Sequence, residues 1–171
     1  MTKESMIYHL LDELKISYVR LDHEPIFSVI EAAEKGVVLP GQQVKNLFLK
    51  NKKGRQFYLV ILRDEKTADI KHLAEILDEK RLSFANDKEL EELLQVEPGA
   101  VTPFGLLFDK EKKVQLIVDE EVDPNLTVGF HPFVNTTTLN IAYADFLLAR
   151  FVYPNLETMN LYCIFVIYYD I

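Results

Sequence analysis

Lys45 and Asn46 stand side by side in "VKNLFLK" (Val44 to Lys50), an otherwise apolar run that reads as a strand. Side chains alternate across a sheet, so Lys45 shares a face with Leu47 and Leu49, and Asn46 shares one with Val44 and Phe48. Whichever face is the core, a polar group points toward buried ground. An ammonium in a low-dielectric setting can hold an anion or polarise a carbonyl. The same spacing also fits a lysine stem lying along apolar surface with its head in water. A second candidate is "PGAVTP" (Pro98 to Pro103). Gly99 tolerates unusual dihedrals and the prolines stiffen the loop, so successive N–H groups can aim at one point. Such donors suit a carbonyl oxygen that gains charge during ester hydrolysis, although other tight turns share this composition.

The remaining chemistry is sparse. His23 ("DHEP") and His131 ("FHP") each lie in a short extended stretch before a proline, where a lone histidine is structural more often than functional. His9 and His72 fall in helical stretches and read as surface residues. Cys163 sits in an apolar tail and reads as inert packing. No Gly-x-Ser-x-Gly elbow, His-Glu-x-x-His, Walker loop or Gly-x-Gly-x-x-Gly occurs.

The chain that must position these groups has 171 residues, 49% apolar and 27% charged, enough for one domain with a proper core. A single cysteine rules out an intramolecular disulfide and any multi-cysteine metal site. "MTKESMIYHLLDELK" alternates charge with apolar residues and has no signal-peptide core, and "LYCIFVIYY" is far short of the roughly 20 residues that span a bilayer. A soluble cytoplasmic protein without membrane partners is expected. The net charge of −8 argues against non-specific nucleic-acid binding. Lys45, Lys50, Lys52, Lys53 and Arg55 nevertheless follow one another with no acid between them. That cluster is either a phosphate contact or a solvated hairpin turn.

Apolar spacing predicts a helix over 3–15, a short helix opened by a capping box at "SVIE" (Ser28 to Glu31), and a helix over 67–78. A further helix opens at the capping box "NDKE" (86–89) and ends near Gln95, and "YADFLLARF" reads as the last. Strands are predicted over 44–50 and 56–62, joined by the Asn51–Gly54 turn, then over 81–85, 104–108 and 113–118, with two more β-rich pieces around Pro132 and Asn135. "FYLVIL" (Phe57 to Leu62) is apolar on both faces, as a central strand should be. Hairpins outnumber any βαβ alternation, so the class is α+β with a mixed, largely antiparallel, barrel-like sheet flanked by helices. Residues 1–151 read as a single domain. The tail 152–171 is an added strand, a subunit contact (a homodimer is one outcome), or an aggregation-prone segment.

"HEPIFSVIEAAE", "KNLFLKNKKGRQFYLVIL", "RLSFANDKELEELLQVEPGAVTPFGLLFD" and "FHPFVNTTTL" occur in this order. Together they closely resemble the YbaK/ProX group of aminoacyl-tRNA editing deacylases, the group that includes the editing domain inserted in bacterial prolyl-tRNA synthetases. The free-standing PrdX-type members are nearest, and the likeness covers residues 1 to 151.

What the resemblance implies is hydrolysis of the ester joining a wrong amino acid to tRNA(Pro), typically alanine, with cysteine as the alternative. The essential lysine of the family falls on Lys45 and its asparagine on Asn46. The Gly-x-x-x-Pro loop falls on Gly99, Ala100, Val101, Thr102 and Pro103, and the histidine near the substrate on His131. Ile26 and Phe27 of "EPIFS" join the substrate-binding set, and Lys50, Lys52, Lys53 and Arg55 the tRNA-binding set. No metal or cofactor is implied; mischarged tRNA(Pro) is the implied partner, and prolyl-tRNA synthetase a second. Two other classes stay open: a tRNA-binding or regulatory protein of the same fold without turnover, and an interaction protein that docks through its tail.

Overall fold

Burial along the chain separates two sheets. The computed structural model describes residues 1–26, 29–149 and 162–164. In order, these form α1 (Lys3–Glu13), β1 (Tyr18–Asp22), α2 (Val29–Glu34), β2 (Val44–Asn51), β3 (Phe57–Arg63), α3 (Ile70–Ile76), β4 (Leu82–Phe84) and α4 (Asp87–Leu94). A 3-10 turn (Pro103–Phe108) follows, then β5 (Val114–Asp119), β6 (Thr127–Phe130), β7 (Thr137–Ala142), α5 (Tyr143–Ala149) and β8 (Tyr162–Ile164). The class is α+β. One sheet has the order β1-β7-β6 and is antiparallel throughout; the other runs β4-β2-β3-β5-β8. In the larger sheet β2 pairs antiparallel with β3 and β4, whereas β3–β5 and β5–β8 are parallel. An isolated bridge from Gln42 to Val128 connects the two. The Gln42 side chain reinforces it, donating to Asp123 O at 2.8 Å and accepting from Asp123 N at 2.9 Å.

β3 is buried from Phe57 to Leu62 because helices or strands cover both of its faces. One face carries Phe57, Leu59 and Ile61 into a core shared with Ile7 and Leu11 of α1, Leu90 and Leu94 of α4, and Phe130 and Leu139 of the smaller sheet. The other carries Tyr58, Val60 and Leu62 against Leu73 and Ala74 of α3. β2 obeys the same alternation: Phe48 enters the first core and Leu49 the second. Asn46 therefore points toward the inter-sheet side and Lys45 toward the α3 side, both at the strand's open beginning.

Local signals fix several boundaries. Asn86 and Glu89 form the capping box reciprocally, Asn86 Oδ1 accepting from Glu89 N at 3.0 Å and Glu89 Oε2 from Asn86 N at 2.8 Å. The box expected at Ser28 lies outside the described residues. Residues 104–108, expected as a strand, coil into the 3-10 turn instead. Pro103 opens it with a fixed φ and no N–H for a ladder. Gly105 lets that turn lie against α4, where a Cβ would come within 2.8 Å of the Leu94 Cβ. The helix expected over 67–78 is shorter, starting only after Asp69 accepts from His72 N. β1 was not anticipated, since its alternation is short and largely exposed. Of the tail, Tyr162–Ile164 adds a parallel edge strand to β5.

Candidate active site

The smaller sheet explains how two distant histidines meet. β7 lies between β1 and β6, and both neighbours run antiparallel to it. Asp22 pairs with Thr137 and Phe130 with Leu139, so the residues following β1 and β6, His23 and His131, emerge at one end on either side of β7. Their rings stand 6.0 Å apart, edge to face. His131 Nδ1 lies 2.9 Å from Thr137 O, and His23 Nδ1 lies 2.8 Å from Glu24 O. A carbonyl only accepts, so each Nδ1 carries the proton in these contacts. His23 Nε2 lies 2.9 Å from Thr138 Oγ1. His131 Nε2 retains its lone pair, and burial lowers the His131 pKa below the ordinary histidine value, with His23 adding to the effect.

The beginning of β2 and the loop after α4 close the other side. Lys45 Nζ donates to Asp64 O at 2.8 Å, at the turn that ends β3. That partner is neutral, and no ion pair to Lys45 forms among the described residues, although Asp64 itself borders the same cavity. Asn46 Nδ2 donates to Val101 O at 3.0 Å. This bond tethers the 99–103 loop to β2 and fixes the amide orientation, leaving Asn46 Oδ1 buried without a partner. Gly99 has φ +81°, the left-handed region that favours glycine. Within the loop Ala100 N is tied to Glu97 O and Pro103 has no N–H, so Gly99, Val101 and Thr102 supply the remaining main-chain donors.

A cavity of about 310 Å³ lies between these walls. Lys45, Asn46, Gly99, Val101, His131 and Ile26 line it, as do His23, Gly129 and Thr138. Ala100, Thr102 and Pro103 do not line it, and Thr102 is wholly buried with its hydroxyl unpartnered. Phe27 lies outside the described residues. Of the expected cationic set, Lys50 is held by both carboxylate oxygens of Glu89 at 2.7 Å, while Lys52, Lys53 and Arg55 are exposed at the far end of β2. His23, Asp64 and Thr138 are among the polar lining residues that sequence reasoning missed. The signal available was a histidine at the end of each of two strands that flank a third, visible only once β1 is recognised.

By fold and site, the molecule is an α+β protein whose polar cavity is lined by Lys45, Asn46, Asp64, His23 and His131 and by Gly99 and Val101 of the loop after α4. Residues 23–148 match the family model of the aminoacyl-tRNA editing domain. The chain is 36% identical over 135 residues to the prolyl-tRNA editing protein ProX of Acetoanaerobium sticklandii, covering 79% of this chain and 82% of that protein. It is 34% identical over 139 residues to prolyl-tRNA synthetase associated domain-containing protein 1 of Danio rerio, covering 80% and 75%. The fold is shared with a hypothetical protein, APE2540, at TM-score 0.65 and 21% identity, covering 84% of this chain and 92% of that one. A candidate trans-editing enzyme for prolyl-tRNA synthetase aligns at TM-score 0.63 and 18% identity, covering 87% and 91%. The chain belongs to the aminoacyl-tRNA editing domain family.

Proposed function

We propose that the protein is a deacylase that hydrolyses the ester of mischarged tRNA(Pro), with alanyl-tRNA(Pro) as its substrate. The observation that carries this reading is the convergence of Lys45, the Gly99–Val101 wall and His131 on one cavity. An aminoacyl ester is already activated, so water can attack without a covalent enzyme intermediate. Positioning and oxyanion stabilisation are then what the site must provide.

In this mechanism the aminoacyl carbonyl faces the loop donors of Gly99 and Val101, and Lys45 holds the terminal phosphate beside it. His131 Nε2 accepts a proton from the attacking water. The tetrahedral intermediate collapses by breaking the bond to the ribose oxygen, which leaves with that proton. The products are free alanine and uncharged tRNA. Asn46 acts at one remove, by holding the Val101 carbonyl and with it the loop. No step draws on a metal or cofactor.

The division of labour has a physical reason. A synthetase pocket built for proline rejects the smaller alanine by only about 1–3 kcal/mol. A second pocket can refuse the larger ring sterically, and this cavity is near the lower end of the roughly 300–1,000 Å³ common for small ligands. The test is deacylation of Ala-, Cys- and Pro-tRNA(Pro) side by side. Faster hydrolysis of the alanyl ester, with the prolyl ester spared, is expected. Preference for the cysteinyl ester would change the substrate, and hydrolysis of none would end the enzymatic reading.

A further inference from the structure

The far end of the larger sheet gathers positive charge that the sequence scatters. β2 ends there and β3 begins there, joined by the turn carrying Lys52, Lys53 and Arg55. β4 is antiparallel to β2, with Leu82 opposite Asn51 as the last pair, so Arg81 and Lys80, which precede β4, lie at the same end of the sheet as the 52–55 turn. β5 is parallel to β3, with Val114 beside Phe57, and Gln56 Nε2 donates to Lys113 O at 3.0 Å, which brings in the turn with Lys112. All six cations are exposed, and none has an ion pair among the described residues. The nearby acids are engaged elsewhere or outnumbered: Glu79 accepts from Asn51 and Tyr58, Glu111 pairs with Lys113, Asp109 caps Lys113 N and Val114 N, and Asp78 is exposed. The segments 51–56, 78–81 and 109–113 thus carry a net of four positive charges on a chain whose total is −8.

We infer that this end of the sheet is a docking surface for a nucleic-acid phosphate backbone, namely the acceptor stem of the tRNA whose esterified end enters the cavity. The inference rests on the proposed substrate. Lys45 and Lys52 are seven residues apart on one extended strand, about 23 Å at 3.3 Å per residue. A nucleic-acid strand stacked at about 3.4 Å per nucleotide spans that distance in about seven nucleotides, which reaches past the unpaired 3′ end into the paired stem. An acidic protein with one basic edge is thereby steered in orientation, because the remaining surface repels phosphate. Lys50 is excluded from the surface, since Glu89 neutralises it.

The test compares Lys52→Gln/Lys53→Gln/Arg81→Gln with the unaltered protein on two alanyl esters, full-length tRNA(Pro) and a short CCA oligonucleotide without a stem. Each phosphate contact contributes about 0.9 to the slope of log affinity against log salt, or about fivefold at 0.15 M salt if the effect vanishes near 1 M. The ratio of kcat/KM on full-length to short ester should fall about 100-fold and recover as salt rises. The charge-conserving variant Lys52→Arg/Lys53→Arg/Arg81→Lys should keep the ratio. Binding of uncharged tRNA(Pro) should lose about 3 from its salt slope. An unchanged ratio and slope would overturn the surface. If the unaltered protein hydrolyses neither ester, the proposed function fails, and the slope with uncharged tRNA alone decides the surface.

Discussion

Lys66 offers the sharpest energetic test, because it is a wholly buried cation close to the site. It is 1% exposed, and it binds both oxygens of Asp119 at 2.8 and 2.9 Å. Asp119 is also 1% exposed and accepts Glu121 N at 2.9 Å; Glu121, more open to water, reaches Lys66 at 2.9 Å. Burial alone would push the Lys66 pKa down, but the hydrogen bonds to Asp119 and Glu121 outweigh it and hold the value above that of an ordinary lysine. The stability linked to that shift is therefore fully present below about pH 10 and is lost only as pH rises beyond it. Lys66→Met leaves the Asp119 carboxylate buried without its cation. Such a loss costs about 3–5 kcal/mol, a large share of the roughly 5–15 kcal/mol typical of a domain. At about 2–4 °C per kcal/mol for this size, the melting temperature should fall by about 10 °C. Urea unfolding should show the same loss through a lower midpoint at an unchanged slope. Lys66→Met/Asp119→Asn removes both charges and should recover most of the loss, so the double-mutant cycle should show coupling above about 2 kcal/mol. The same turn binds Lys66 N to Arg63 O and presents the Asp64 carbonyl that holds Lys45, so deacylation should fall in the single variant as well. A loss below about 1 kcal/mol for Lys66→Met would refute the reasoning.

Burial keeps His131 neutral below the usual histidine range, so the acid limb of kcat/KM should lie below about pH 6.5, and a limb above 6.5 would remove His131 as the base. For stability the sign is the same: as pH falls through about 6.5, the unfolded chain takes up a proton that buried His131 resists, and stability drops, measurably by melts at pH 7 and 5.5. Thr102→Val replaces a fully buried, unpartnered hydroxyl with a methyl of similar shape; it should stabilise by about 1 kcal/mol in urea unfolding while turnover persists. Dialysis against EDTA should leave the rate of Ala-tRNA(Pro) hydrolysis unchanged, and recovery of a lost rate by added divalent metal would contradict the mechanism.

What could be read ahead of the fold was whatever short-range chemistry dictates. The two-faced apolar run Phe57–Leu62 is a central strand, and Asn86 with Glu89 caps α4 as their spacing requires. The β2–β3 pair lies where the apolar runs and the intervening turn put it. What depends on long-range pairing was not legible. β1 is short and mostly exposed, and its partner β7 is over a hundred residues away. Without β1, His23 is a lone histidine; with it, His23 stands beside His131. Pro103 and the approach of Gly105 to Leu94 turned a strand-like apolar run into a 3-10 turn, a packing effect that composition does not carry. The basic edge was legible only in part: the cluster ending at Arg55 stands out in the sequence, but the segments 78–81 and 109–113 join it only through the order β4-β2-β3-β5.

The central claim is that the Lys45 ammonium holds the substrate's terminal phosphate at the cavity rather than merely resting along the surface. Single-turnover hydrolysis of Ala-tRNA(Pro) by the unaltered protein and by Lys45→Ala, each confirmed folded by its melting curve, tests it most directly. With enzyme below saturation, a loss of about 10- to 150-fold in the variant is predicted, the equivalent of the roughly 1.5–3 kcal/mol of one hydrogen bond from a charged group to the terminal phosphate. Alanine released by folded Lys45→Ala at close to the unaltered rate would contradict the account.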